Sequence, residues 1–153
     1  MKKHWHYFFF LFLAFITLSS CEKEEPDLED APRTNIIFND NIDLGAADFR
    51  LNTPVTLKIT LQGEQPTSLK VVSRYLVGST VRLVDVATLP VSNGTATLNV
   101  PASALRNTAD GPVVGAGTNP NSSRSANTYT LLVQATLADG RVEQRTFTAV
   151  VVR

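Results

Sequence analysis

Tyr129-Thr-Leu-Leu-Val-Gln-Ala-Thr-Leu-Ala-Asp139-Gly140 decides the fold. Tyr129, Leu131, Val133, Ala135 and Leu137 fall on one side of an alternating pattern, with Thr130, Leu132, Gln134 and Thr136 between them. A period of two belongs to a β-strand with one buried and one wet face. Asp139 and Gly140 both accept positive φ, so a tight turn is expected there, with Val142 to Val152 returning as the partner strand.

The same pattern extends outward from this hairpin. Val55, Leu57, Ile59 and Leu61 alternate with Thr56, Lys58, Thr60 and Gln62, and Gly63 ends the run. Leu69 to Val77 alternates likewise, and Gly78-Ser79 suits a two-residue turn that begins with glycine. Val81 to Leu89 is apolar on parts of both faces, so its register is open. Asn93-Gly94 signals a turn, Ala96, Leu98 and Val100 alternate after it, and Pro101 stops the strand. With a first strand around Asn35 to Phe38, seven or so strands and no long helix read as an all-β, antiparallel β-sandwich over residues 33–153. About 120 residues is a usual size for one domain with a core of its own.

The Tyr129–Gly140 run resembles the penultimate strand and final hairpin of immunoglobulin-like and fibronectin-type-III-like domains. The resemblance implies that Tyr129 sits near a tyrosine corner, its hydroxyl bonded back to the preceding connection. The cysteine pair and buried tryptophan of antibody domains are missing: the only tryptophan, Trp5, lies far upstream.

The N-terminal residues follow a different rule. Lys2 and Lys3 precede an apolar run, Tyr7 to Leu18, which has the length of a secretory signal and is short of the roughly 20 residues that span a bilayer. Leu18-Ser19-Ser20-Cys21 then supplies the chain's only cysteine. This resembles the lipobox of bacterial lipoproteins, which implies cleavage before Cys21, a diacylglycerol on its thiol and an acyl chain such as palmitate on its amine. Two or three such chains hold a protein on a bilayer, at about 0.8 kcal/mol per buried CH₂. Residues 1–20 are therefore read as a signal peptide and residues 21–32 as a tether. The tether, CEKEEPDLEDAP, carries six acids and almost nothing apolar, so it cannot fold alone. Lys23, Glu24 and Glu25 resemble the lipoprotein export signal of Bacteroidota, which implies display on the outer face of the outer membrane; the alternatives are a periplasm-facing anchor and a plain solvated charge run.

Little in the sequence points to catalysis. His4 and His6 lie within the signal, so Ser-His and Cys-His arrangements and the usual zinc sites are excluded from the rest. Gly115-Ala116-Gly117 lacks the lysine and hydroxyl of a phosphate loop. Glu64, Asp85 and Glu143 are the acids from which a glycosidase pair would have to come, and no pocket-building insertion surrounds them. Asp40, Asp43 and Asp48 could offer oxygen ligands to calcium, but Leu44 and Arg50 break the EF-hand spacing, and turns joining the first strands are the simpler reading. No cofactor is expected. The basic residues of the body are scattered singly, which argues against nucleic acid.

Alternation fails between Pro101 and Asn127. Ala102 to Arg106 fits one helical turn, and the Gly-, Asn- and Ser-rich remainder is long for a connection. Arg106, Asn119, Asn121 and Arg124 are its candidate donors toward a glycan or protein, although no aromatic residue in the loop can stack on a sugar. The reading is a non-enzymatic binding or accessory lipoprotein that meets a glycan, an adhesion target or an outer-membrane receptor. The alternative is an assembly subunit pairing through the exposed edge of the terminal strand Val142 to Arg153. Cys21→Ala is expected to abolish incorporation of a labelled fatty acid and to move the protein from the membrane pellet to the soluble fraction.

Overall fold

Residues that alternate in the sequence fold as two stacked sheets. The structure is a computed structural model; it describes residues 33–48, 51–111, 113 and 124–152. Its strands are β1 (Thr34–Phe38), β2 (Leu44–Asp48), β3 (Val55–Gly63), β4 (Ser68–Val77), β5 (Thr80–Pro90), β6 (Thr95–Val100), β7 (Thr128–Thr136) and β8 (Val142–Val152). One sheet has the order β1-β3-β6, the other β2-β8-β7-β4-β5. Phe38, Leu57, Ile59 and Leu98 from the first sheet meet Leu69, Val71, Leu131, Val133 and Phe147 from the second, all fully buried. Each such side chain stabilises the fold by about 1.5–3 kcal/mol relative to exposure. The rings of Phe38 and Phe147 meet edge to face across the sandwich at 5.6 Å and 81°.

The turns divide as the glycines dictate. Asn93 (φ 51°) and Gly94 (φ 70°) are both left-handed, as a tight turn of the primed type requires. At Gly78-Ser79 only the glycine has positive φ, and Val77 pairs Thr80 across the turn, as expected. The Asp139-Gly140 turn departs from expectation. Only Gly140 has positive φ, the Gly140 N–H donates to the Leu137 carbonyl, and the Leu137 N–H donates to the Arg141 carbonyl. This is a three-residue hairpin loop closed by a glycine bulge. Asp139 keeps an ordinary φ, and its carboxylate accepts from the Arg141 N–H at 3.0 Å and from Arg33 Nη1 at 2.7 Å.

There are eight strands among the described residues rather than seven, and the additional one is β2. Its sequence, LGAAD, neither alternates nor carries a β-branched residue. It exists because it lies parallel to β8, Leu44 opposite Thr148 through Asp48 opposite Val152, so the sandwich is not purely antiparallel. Its glycine has a cause: a Cβ on Gly45 would stand 2.8 Å from Cζ of Phe147. The chain reaches β2 from β1 through Asn39, Asp40 and Asn41, all left-handed, a conformation that Asn and Asp tolerate best among residues with a side chain. Arg145 of β8 holds this crossing. It donates to the Ile36 carbonyl at 2.6 Å, grips the Asp43 carboxylate at 2.8 and 2.9 Å, and lies over the Phe38 ring.

Parallel pairing also changes the reading of the terminal strand. β8 is bound to β7 over Val142–Val150 and covered by β2 only over Thr148–Val152, so the second half of the strand is interior and Val142–Phe147 has no strand on its β2 side among the described residues. The long edge of this sheet is β5, eleven residues with Val81 and Leu83 exposed. A bulge displaces its register between Val71 and Val72 of β4, so the positions opposite the inward residues of β4 switch from Val84 to Ala87 and Leu89, while Val81 and Leu83 lie opposite its outward residues.

Gly45→Ala is expected to destabilise the domain by about 1–3 kcal/mol, as overpacking does. Combined with Phe147→Leu, the two losses should fall short of their sum, because the smaller side chain vacates the contact. Urea unfolding of the two single variants and the double variant measures this.

Candidate functional site

One end of the five-stranded sheet carries most of the domain's polar organisation. β4 ends with Tyr75 pointing inward and Arg74 and Leu76 pointing outward. The Tyr75 ring packs on that of Tyr129 at 5.9 Å. Its hydroxyl donates to Asp110 Oδ2 at 2.6 Å and accepts the Asn107 backbone N–H at 2.9 Å. Burial, and then the Asp110 carboxylate, raise the Tyr75 phenol above its ordinary pKa.

This corrects the expectation for Tyr129. Tyr129 is fully buried at the start of β7, but its hydroxyl finds no hydrogen-bond partner among the described residues; the Arg106 guanidinium lies near it. Burial pushes this phenol up, and the Arg106 charge opposes the shift. The tyrosine that ties down the β6–β7 connection is Tyr75, from the neighbouring strand. Its place in the alternation, in step with Leu69, Val71 and Ser73, is the signal that would have found it.

The connection itself starts with two short 3₁₀ turns, Ala102–Leu105, where the sequence suggested helix, and Thr108–Asp110. Leu105 is fully buried and pins the first. The Asn107 side chain caps the second by accepting from the Ala109 N–H at 3.0 Å. Arg106 does not reach outward as a ligand donor. Its Nη2 donates to the Asp110 carbonyl at 2.7 Å, its Nε to the Gly111 carbonyl at 3.2 Å, and its guanidinium lies 5.1 Å over the Tyr75 ring. Arg82 of β5 adds an ion pair to Asp110 at 3.7 Å. Of the other loop candidates, Arg124 opens a 3₁₀ turn, Arg124–Asn127, that feeds β7, while Asn119 and Asn121 lie outside the described residues. So do Cys21, Lys23, Glu24, Glu25 and Gly115 to Gly117.

Beside this knot, on the outer face of the sheet, is an open depression of about 340 Å³ lined by Arg74, Tyr75, Leu76, Ala126, Thr128 and Thr130. It has a structural cause. β4 pairs with β7 only as far as Arg74 opposite Thr130, although β4 continues to Val77 and β7 begins at Thr128, so the two strands part above that pair. The outward faces of both remain uncovered there: Arg74 and Leu76 are exposed and the two threonines half-buried.

Of the carboxylates weighed for calcium or hydrolysis, Asp40 lies in the left-handed turn after β1 and the others are engaged. Asp43 is held by Arg145, Asp48 accepts the Leu51 N–H at 3.0 Å, and Asp85 pairs with Lys70 at 3.0 Å. Glu64 and Glu143 both flank Arg33 at another part of the domain. Among the described residues no three His, Cys, Asp or Glu side chains gather as metal ligands do.

Strand order and the two facing sheets define an immunoglobulin-like β-sandwich. No protein-family description and no characterised protein matches this sequence. Solved structures with a similar outline include CopC from Methylosinus trichosporium OB3b, at 14% identity over 72% of this chain and 83% of that one, with a TM-score of 0.38. Murine CRIg is similar at 10% identity over 79% of this chain and 98% of that one, with a TM-score of 0.40. Spo0M, a sporulation control protein from Bacillus subtilis, shares 11% identity over 79% of this chain and 49% of that one, again with a TM-score of 0.40. Likenesses at this level say nothing about activity.

Tyr75→Phe is expected to cost about 1–3 kcal/mol, because it leaves the Asp110 carboxylate and the Asn107 N–H without their buried partner. Amide exchange at Asn107 should quicken more than exchange in β3, a distinction a general loss of stability would not produce.

Proposed function

We propose that this chain is a lipid-anchored, non-enzymatic binding protein of the bacterial surface. Cys21 carries the lipid, residues 21–32 hold the sandwich away from the bilayer, and Lys23-Glu24-Glu25 directs the protein to the outer face. The single observation that carries the reading is Leu18-Ser19-Ser20-Cys21, the only cysteine, placed directly after an apolar run of signal length. The absence of histidine downstream of His6 removes the commonest general base and supports binding over catalysis. The domain then acts by presenting a surface to a glycan, an adhesion target or an outer-membrane receptor.

A second reading, assembly by strand addition, is favoured by one observation. β5 is a sheet edge over its full eleven residues, longer than the part of β8 that β2 leaves uncovered, and Val81 and Leu83 stand exposed on it.

Crosslinking on intact cells with a reagent that cannot cross the outer membrane, followed by recovery of the lipidated protein, tests the proposal. The expected result is surface labelling, with one defined partner crosslinked. Labelling only after the outer membrane is permeabilised would place the domain in the periplasm. Recovery only of crosslinked copies of this chain, lost on Leu83→Lys, would favour assembly through β5.

A further inference from the structure

We infer that the depression above the Arg74–Thr130 pair is a binding site for a hydroxylated carboxylate, a sugar acid either free or as a uronate unit of a glycan. The inference rests on reading the chain as a binding module and names the chemistry of one site on it.

The argument begins with charge. Among the described residues Arg33, Lys70, Arg82 and Arg145 each lie within 4.0 Å of a carboxylate. Arg74 has no such partner among them, although Lys70, four residues away on the same face, is paired with Asp85. A guanidinium presents a planar fork that fits a carboxylate with two parallel hydrogen bonds, and an exposed one without a protein anion is open to an external one.

The rest of the lining fits the rest of the ligand. Thr130 stands on β7 across the depression from Arg74, and a hydroxyl can both donate and accept, as the hydroxyls of a sugar ring require. Leu76, 60% exposed, gives an aliphatic surface for the C–H face of such a ring. The volume is at the lower end for small-ligand sites. The floor is rigid: Arg74 is paired on both sides, to Leu83 of β5 and to Thr130 of β7, and Tyr75 next to it is locked to Asp110 and Asn107. The Arg74 backbone is thus held by ladder strands and the polar knot beside it, not by a loop.

One exposed ion pair contributes little, so dissociation constants on the order of 1 mM are expected for a single unit. The test is a titration of the full-length ¹⁵N-labelled protein with D-galacturonate, D-glucuronate, neutral D-galactose, acetate and N-acetylglycine, followed by NMR at Arg74, Leu76 and Thr130. The expected result is saturable shifts with a uronate, at least tenfold tighter than with galactose or acetate. Arg74→Gln should weaken binding about tenfold or more, Arg74→Lys less, and Lys70→Gln on the same face should leave it unchanged. Thr130→Val should bring the uronate down toward acetate. Oligogalacturonate bound far more tightly than the monomer, still dependent on Arg74, would assign the source as a glycan; equal affinity would assign the free acid. The inference is overturned if no uronate shifts these signals, if Arg74→Gln binds as well as the parent, if acetate equals the uronates, or if N-acetylglycine binds more tightly than either. The titration reads this site on the purified protein and the intact-cell crosslinking reads display, so either can fail alone.

Discussion

The Phe147 ring sets the spacing of the two sheets. It projects from β8 into the middle of the sandwich and meets Phe38 of β1 edge to face. Sheets pack about 10 Å apart, and that distance must be filled by side chains from both inner faces. Where Phe147 swings toward the sheet edge, the neighbouring strand must lack a side chain, and β2 supplies Gly45 at that place. The glycine in β2 follows from that one aromatic ring.

Two polar devices then fasten the ends of this packed layer. At one, Arg145 satisfies the Ile36 carbonyl and Asp43 together, which fixes the point where the chain leaves β1 and crosses to the other sheet. At the other, Tyr75, Asp110, Arg106 and Arg82 pin the start of the β6–β7 connection to β4 and β5. Both use groups that would be costly if buried alone and are tolerated because each is paired. The second bears on the proposed site: it ties down the end of β4 from which Arg74 points outward.

Much of the architecture was legible from the chain. The core faces of β3, β4, β6 and β7 followed from alternation, because a half-buried strand can satisfy only one polarity on each side. The glycine turns at Gly78 and Gly94 followed from the need for positive φ. What was not legible involved partners distant in sequence. β2 has no pattern of its own, and its strand character comes from β8, a hundred residues later. The Tyr129 resemblance pointed to the correct connection but the wrong tyrosine: a hydroxyl's partner depends on which strand lies nearest the loop, and that strand proved to be β4.

The sequence by itself determined that this is an all-β sandwich body behind a segment with the form of a lipoprotein signal, because both depend on local runs: a period of two in one case, an apolar stretch ending at a cysteine in the other. Only the tertiary structure decided which arginine faces outward without an anion. Arg74, Arg106 and Arg145 look alike as isolated basic residues in the chain. Their difference lies in what the folded strands place around each: a loop's carbonyls around Arg106, a carboxylate and an aromatic ring around Arg145, and open solvent with Thr130 across from Arg74.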